Sequence, residues 1–281
     1  MTKYRVDVYA DTICPWCYIN KRSIDTAIKN HQAQHPEDEF DVVWRPYMLY
    51  PNAKVSAYNK KDSFLLKFGP TAADVLDRVQ RVGSSHGLTF TWEGRTGSTR
   101  DSHKLILLAA SQDAASSSSN HTPSPPLSPP PTTSGDSPPL GPCAIPTSSH
   151  DADPRPESVD VNPRPALRHD GLTTTHPLTS KQNAVTEAIL SGALTRNQDI
   201  SSREFLVPIA LAHGLAGTAE EVLRYLDSEE ANVRVDAEMA RARVEIGVTA
   251  VPSVVVNGRY RVGGMQEPGV FGGLFERIRA R

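Results

Sequence analysis

The stretch Val6-Asp7-Val8-Tyr9-Ala10-Asp11-Thr12-Ile13-Cys14-Pro15-Trp16-Cys17-Tyr18-Ile19 decides the fold. Val6 to Ala10 reads as an apolar strand, and Tyr18 to Lys29 as a helix with Ile24, Ala27 and Ile28 on one stripe. Two thiols therefore stand where a strand hands over to a helix. A helix start presents unpaired N–H groups and the positive end of the macrodipole, which favour a thiolate over a thiol. Cys14 is placed to be that thiolate, its sulfur exposed. Cys17, one turn further in, is close enough to close a short disulfide with it and release whatever Cys14 has captured.

Outward from this junction, Phe40-Asp41-Val42-Val43-Trp44-Arg45 reads as a second strand ended by Pro46 and Pro51, which gives a β-α-β opening. Near the other end, Pro252-Ser253-Val254-Val255-Val256, an Asn257-Gly258 turn and Tyr260-Arg261-Val262 read as a hairpin, followed by a helix from about Glu267. Strands at both ends must share one sheet. Between them the pattern is helical. Val75, Leu76, Val79 and Val82 form a stripe within Ala72 to Val82, and Thr218-Ala219-Glu220-Glu221 has capping-box form. Ser102 to Ala110 and Ala184 to Leu190 read as two more helices.

The largest discontinuity lies between those last two helices. Residues 112–180 hold 15 of the 23 prolines and a run of serines from Ser116 to Ser119, a composition that buries too little apolar surface to offset its ordering entropy. Disorder is expected there. The unpaired Cys143 inside it is read as incidental, and Pro129 to Pro131 as part of a spacer rather than a docking motif. The expected organisation is then residues 1–55 and 247–281 as the two halves of one sheet-based unit, 56–111 and 181–246 as a helical insertion, and 112–180 as an interruption of it.

A chain of 281 residues with 38% hydrophobic content can build a sizeable core. A formal net charge of −2 gives no basic footprint for nucleic acid, and no apolar run is long enough to span a bilayer. Neither partner is expected. Three cysteines, two of them in one motif, argue against a disulfide-stapled secreted scaffold, and a strand starting by Tyr4 leaves no room for a signal peptide. A cytoplasmic location is the expectation.

Four segments carry a resemblance. Cys14-Pro15-Trp16-Cys17-Tyr18-Ile19, Trp44-Arg45-Pro46-Tyr47, Asp101-Ser102-His103-Lys104-Leu105 and Gly247-Val248-Thr249-Ala250-Val251-Pro252 resemble the FrnE-like branch of the DsbA family of disulfide oxidoreductases. The resemblance implies a thioredoxin-like α/β fold with a helical insertion. It implies Cys14 as nucleophile, Cys17 as resolving thiol, and Pro252 as a cis-proline facing them. Val251 would present its backbone to an extended substrate, and Trp16 would shape the site. No bound cofactor or metal is implied; the redox group is the Cys14–Cys17 pair, acting on disulfide-containing proteins or on glutathione as co-substrate. The proline-rich tract has no counterpart in that pattern and is either an insertion or translated intron.

Two rival readings compete. Cys14, Cys17, His31 and His35 have C-x2-C-x13-H-x3-H zinc-finger spacing, but a finger starts its helix midway through the spacer, whereas here the helix begins at the cysteines. His31 and His35 are then expected as solvent-facing helix-end residues. The second rival is a glutathione-dependent isomerase or kappa-type glutathione transferase. Those relatives carry serine at the first cysteine position and a Ser-Asp pair where this chain has Met265-Gln266, and their asparagine ahead of the helical His motif is replaced by Ser98. His103 is read as a core or helix-face residue. These departures favour dithiol exchange.

Overall fold

The computed structural model describes residues 1–118 and 178–281. Its centre is β1 (Lys3–Ala10), flanked by β2 (Glu39–Pro46) and β5 (Ser253–Val256), with β6 (Tyr260–Gly263) at the edge of a sheet ordered β2-β1-β5-β6. β2 runs parallel to β1, Val6 opposite Val42 and Val8 opposite Trp44; β5 runs antiparallel, Val6 opposite Val256. A parallel pair needs a crossover, and α1 (Pro15–Gln34) supplies it. The β5–β6 hairpin closes through the three residues 257–259, of which Asn257 and Gly258 take the positive φ that such a tight turn needs.

Val6, Val8, Val254, Val256 and Val262 are fully buried on one face of the sheet, and Tyr9, Val43 and Val255 are buried on the other, so both faces are covered. α9 (Pro268–Arg279) packs against α1, and Tyr4, Phe40 and Phe275 form a ring cluster beneath them, Tyr4 stacked on Phe40 at 4.5 Å. α4 (Arg100–Ser118) and α5 (Lys181–Thr195) pack on each other and on β2. Gln182 of α5 ties that layer down, its Oε1 accepting from Trp44 N at 3.1 Å and its Nε2 donating to Trp44 O at 2.9 Å.

The remaining helices are α2 (Lys60–Phe68), α3 (Ala72–Ser85), α6 (Arg203–Ala212), α7 (Ala219–Asp227) and α8 (Glu229–Ala240), with a two-stranded ladder of β3 (Tyr58–Asn59) and β4 (Arg95–Thr96). The capping box of α7 is present, Thr218 Oγ1 accepting from Glu221 N while Glu221 Oε2 accepts from Thr218 N. One apolar cluster runs from the sheet into these helices, through Val8, Leu105, Ile189, Leu206 and Leu226. α8 is clamped to the sheet by Arg45, which donates to Asp7 on β1 at 3.0 Å and to Glu238 at 3.2 Å.

The structure moves one expected boundary. Gln112 and Asp113 are part of α4 rather than of the proline-rich tract: Gln112 Nε2 donates to Leu215 O, and the Asp113 carboxylate accepts from Lys181 N at 3.0 Å and Gln182 N at 2.8 Å. At the start of α5, Leu178 packs against the core, and Ser180 caps the helix by accepting from Asn183 N. Residues 119–177, including Cys143, lie outside the described residues.

Candidate active site

Cys14 is the N-cap of α1, with extended φ and ψ of −90° and 115°, and Pro15 takes the first helical position, where a missing N–H is least missed. The junction is closed by Cys14 N donating to Asp11 O and Cys17 N donating to Cys14 O, both at 3.1 Å. Cys17 is fully buried, and Cys14 is 6% exposed rather than open to solvent, because its sulfur faces a cavity instead of the outer surface. Both thiols are free.

The two sulfurs are electrically unequal. A hydrogen bond from the Cys17 thiol is the largest influence on Cys14 and holds it below the ordinary thiol range, against the effect of burial; the Cys17 N–H and the Lys67 ammonium add to it, and the Asp11 carboxylate opposes it. Burial pushes Cys17 well up, and donating to Cys14 beside that sulfur's negative charge pushes it further. Cys14 therefore ionises first and Cys17 keeps the proton.

Beyond Cys14 the cavity is walled by Trp16, Tyr50, Phe64, Phe68 and Trp92. Lys60 and Lys67 line it as well. Lys60 is buried, which lowers its pKa, and its Nζ donates to Ala193 O at 2.7 Å; Lys67 lies over the Tyr50 and Phe68 rings at 5.3 and 5.2 Å. Trp16 is itself covered by the Arg78 guanidinium, 5.7 Å from its ring centre. On the inner side, buried Asp11 accepts from Leu49 N at 2.7 Å and lies 3.4 Å from His103 Nε2. His103 is enclosed there, off the aromatic cavity, and Ser98 is held in the loop before α4, its N donating to Lys54 O.

Val251-Pro252 is a cis peptide bond. Since Ser253 pairs with Tyr9, this bond sits at the end of β1 from which the chain enters the Asp11–Cys14 turn. Pro252 O accepts from Gly264 N at 2.9 Å, whereas the Val251 backbone makes no hydrogen bond among the described residues. The sequence profile of the DSBA-like thioredoxin domain matches residues 5–121 and 166–273. The chain belongs to that family.

Solved structures agree on the fold. A protein described as "probable DsbA oxidoreductase" from Streptomyces coelicolor superposes with a TM-score of 0.65 at 21% identity, over 99% of this chain and 91% of that one. The cytosolic disulfide reductase DsbM from Pseudomonas aeruginosa, solved with GSH, gives 0.51 at 13% identity, over 99% and 100%. A 2-hydroxychromene-2-carboxylate isomerase gives 0.53 at 11%, over 98% and 95%. No curated protein matches the chain. No helix among the described residues is long and apolar enough to cross a membrane.

The zinc-finger arrangement does not form. His31 lies seventeen positions beyond Cys14 along α1, roughly 25 Å along a helix. His31 is also not solvent-facing as its helix-end position suggested: it is 3% exposed, enclosed by Tyr4, Phe40 and Phe275. Lys60, Lys67 and Asp11 were missed as site residues. Asp11 stands three residues before Cys14 and was legible as a neighbour, whereas nothing in the spacing ties α2 to the cysteines.

Proposed function

We propose that this protein is a thiol–disulfide oxidoreductase of the FrnE-like branch, with Cys14 as nucleophile and Cys17 as resolving thiol. The inequality of the two buried sulfurs carries this reading. The Cys14 thiolate attacks a substrate disulfide, forming a mixed disulfide and expelling one substrate thiolate. Cys14 then bears no charge and accepts no strong hydrogen bond, so two of the causes that held the Cys17 proton disappear. Cys17 gives its proton to the expelled substrate thiolate and attacks Cys14, releasing the second substrate thiolate and leaving a Cys14–Cys17 disulfide; two electrons have passed to the substrate. The reverse sequence oxidises a dithiol.

The free Val251 backbone beside Pro252 suits pairing with an extended substrate strand, and Trp16 with its neighbouring rings suits an apolar flank. Lys60 and Lys67 suit carboxylates, which supports glutathione as co-substrate alongside protein disulfides, and a cytosolic relative of this fold was solved with it. No bound cofactor is needed. A cytoplasmic location, where such a dithiol is kept reduced, fits this role.

Pulse alkylation of the reduced protein tests the assignment. Cys14 labels first, and its rate stays high as pH falls into the range where an ordinary thiol is protonated, because its thiolate form persists there. Cys17→Ala moves the midpoint of that pH profile upward most, since it removes the largest stabilising contact; Lys67→Met moves it upward less. Dominant labelling of Cys17, or a midpoint unmoved by Cys17→Ala, would overturn the roles.

A further inference from the structure

At the far end of α1 the fold assembles a second cluster that the sequence reading did not join. His31, His35 and Glu276 each present one ligand atom, and the three atoms lie within 4.8 Å of one another. His31 and His35 are one helical turn apart on α1 and its C-cap, so they share a face. Glu276 comes from α9.

The state of His31 is set by what lies behind it. Its Nε2 is 3.0 Å from Asp38 Oδ2, and that enclosed carboxylate also accepts from Thr2 N at 2.7 Å and from Arg279 Nε at 3.1 Å. With those donors Asp38 is an acceptor, so Nε2 carries the hydrogen and the ring turns Nδ1 toward Glu276. Nδ1 is 2.9 Å from Glu276 Oε1, yet the two are not aligned as a hydrogen bond, and this buried nitrogen has no other partner. His35 Nε2 lies 3.1 Å from the same oxygen. A buried imidazole backed by a carboxylate, facing a second imidazole and a second carboxylate, is the donor set and outer shell of a metal ligand. The end of α1 adds the negative pole of its dipole, which favours a cation there.

We propose that His31 Nδ1, His35 Nε2 and Glu276 Oε1 bind one Zn²⁺, with solvent in the fourth position and Asp38 fixing the His31 tautomer. Two imidazoles and a carboxylate suit a borderline divalent ion in tetrahedral geometry, with metal–ligand distances of about 2.0–2.2 Å. Half-exposed Glu276 and part-exposed His35 give the ion its entry path. Bound there, zinc joins the end of the first crossover helix to the last helix, so its effect is on stability and not on the distant dithiol.

The test uses the full chain with Cys14, Cys17 and Cys143 replaced by serine, which leaves zinc no thiolate. Calorimetric titration with ZnCl₂ is expected to give one site per chain and zinc a raised melting temperature. Co²⁺ should show the visible d–d bands of low-coordinate nitrogen and oxygen ligation. His35→Ala and Glu276→Gln, both near the surface, should each weaken the site at least about tenfold while leaving the metal-free melting temperature close to its starting value. If zinc neither binds nor stabilises, or if binding survives both substitutions unchanged, the cluster is only a set of packed and ion-paired side chains and the proposal is wrong.

Discussion

Cys17→Ser will accumulate as a mixed disulfide through Cys14, visible as high-mass bands on non-reducing gels, while Cys14→Ser will capture almost nothing. The asymmetry follows from the geometry. In Cys17→Ser the serine hydroxyl still donates to the Cys14 sulfur, so the thiolate persists and attack proceeds; the second displacement then has no sulfur to perform it. In Cys14→Ser the remaining thiol is fully buried and its pKa is pushed well up, so neither access nor ionisation supports attack. Turnover of a disulfide substrate should fall by at least about three orders of magnitude in both variants, as when a catalytic nucleophile or its partner is removed. A kappa-type transferase predicts the opposite pattern: conjugation of glutathione to an electrophile by the wild type, and no captured partner in Cys17→Ser. That pair of results would replace the dithiol mechanism.

The part of the site legible in the sequence is the part whose chemistry is local. Cys14, Pro15 and Cys17 lie within one turn, and strand, cap and helix are all written in the same fourteen residues, so the unequal thiols follow from position on α1. Pro252 could be placed only through the family resemblance, because the Tyr9–Ser253 pairing that brings it to the end of β1 joins residues from opposite ends of the chain. The walls of the cavity were out of reach. Lys67, Phe64 and Phe68 stand on α2, a nine-residue helix with only Lys60 buried, so no clear apolar stripe announced it. α6 was hidden differently, since Pro208 lies inside it and a proline ordinarily ends a helical pattern. His31 was misjudged because a histidine at a helix end is usually wet; here β1, β2 and α9 bring Tyr4, Phe40 and Phe275 around it.

The contacts at the α4–α5 junction matter energetically, and two deletions test them. Removing residues 119–177 and bridging the ends is expected to leave a cooperative melt and intact dithiol exchange. Asp113 touches the start of α5 directly, so the ends are already close: Ser118 is five residues past Asp113, roughly 8 Å of helix, and Leu178 is three before Lys181, roughly 10 Å at most. A linker of about eight residues spans that, and the entropy of closing a loop changes only slowly with its length. Removing residues 112–180, the boundary suggested by composition, is expected to fail. It deletes the Asp113 carboxylate that accepts two N–H groups of α5, the Ser180 cap, the Gln112 contact to Leu215 and the Leu178 packing. A cap contributes about 1 kcal/mol and a charged hydrogen bond about 1.5–3 kcal/mol, so the sum is several kcal/mol, against a total stability of about 5–15 kcal/mol. α5 carries Gln182, which holds β2, and therefore its fraying reaches the sheet. Thermal melts followed by near-ultraviolet circular dichroism, with insulin reduction as the activity readout, decide between them. Loss of the transition on removing 119–177, or an unchanged melt on removing 112–180, would show that this account of the α4–α5 junction is wrong.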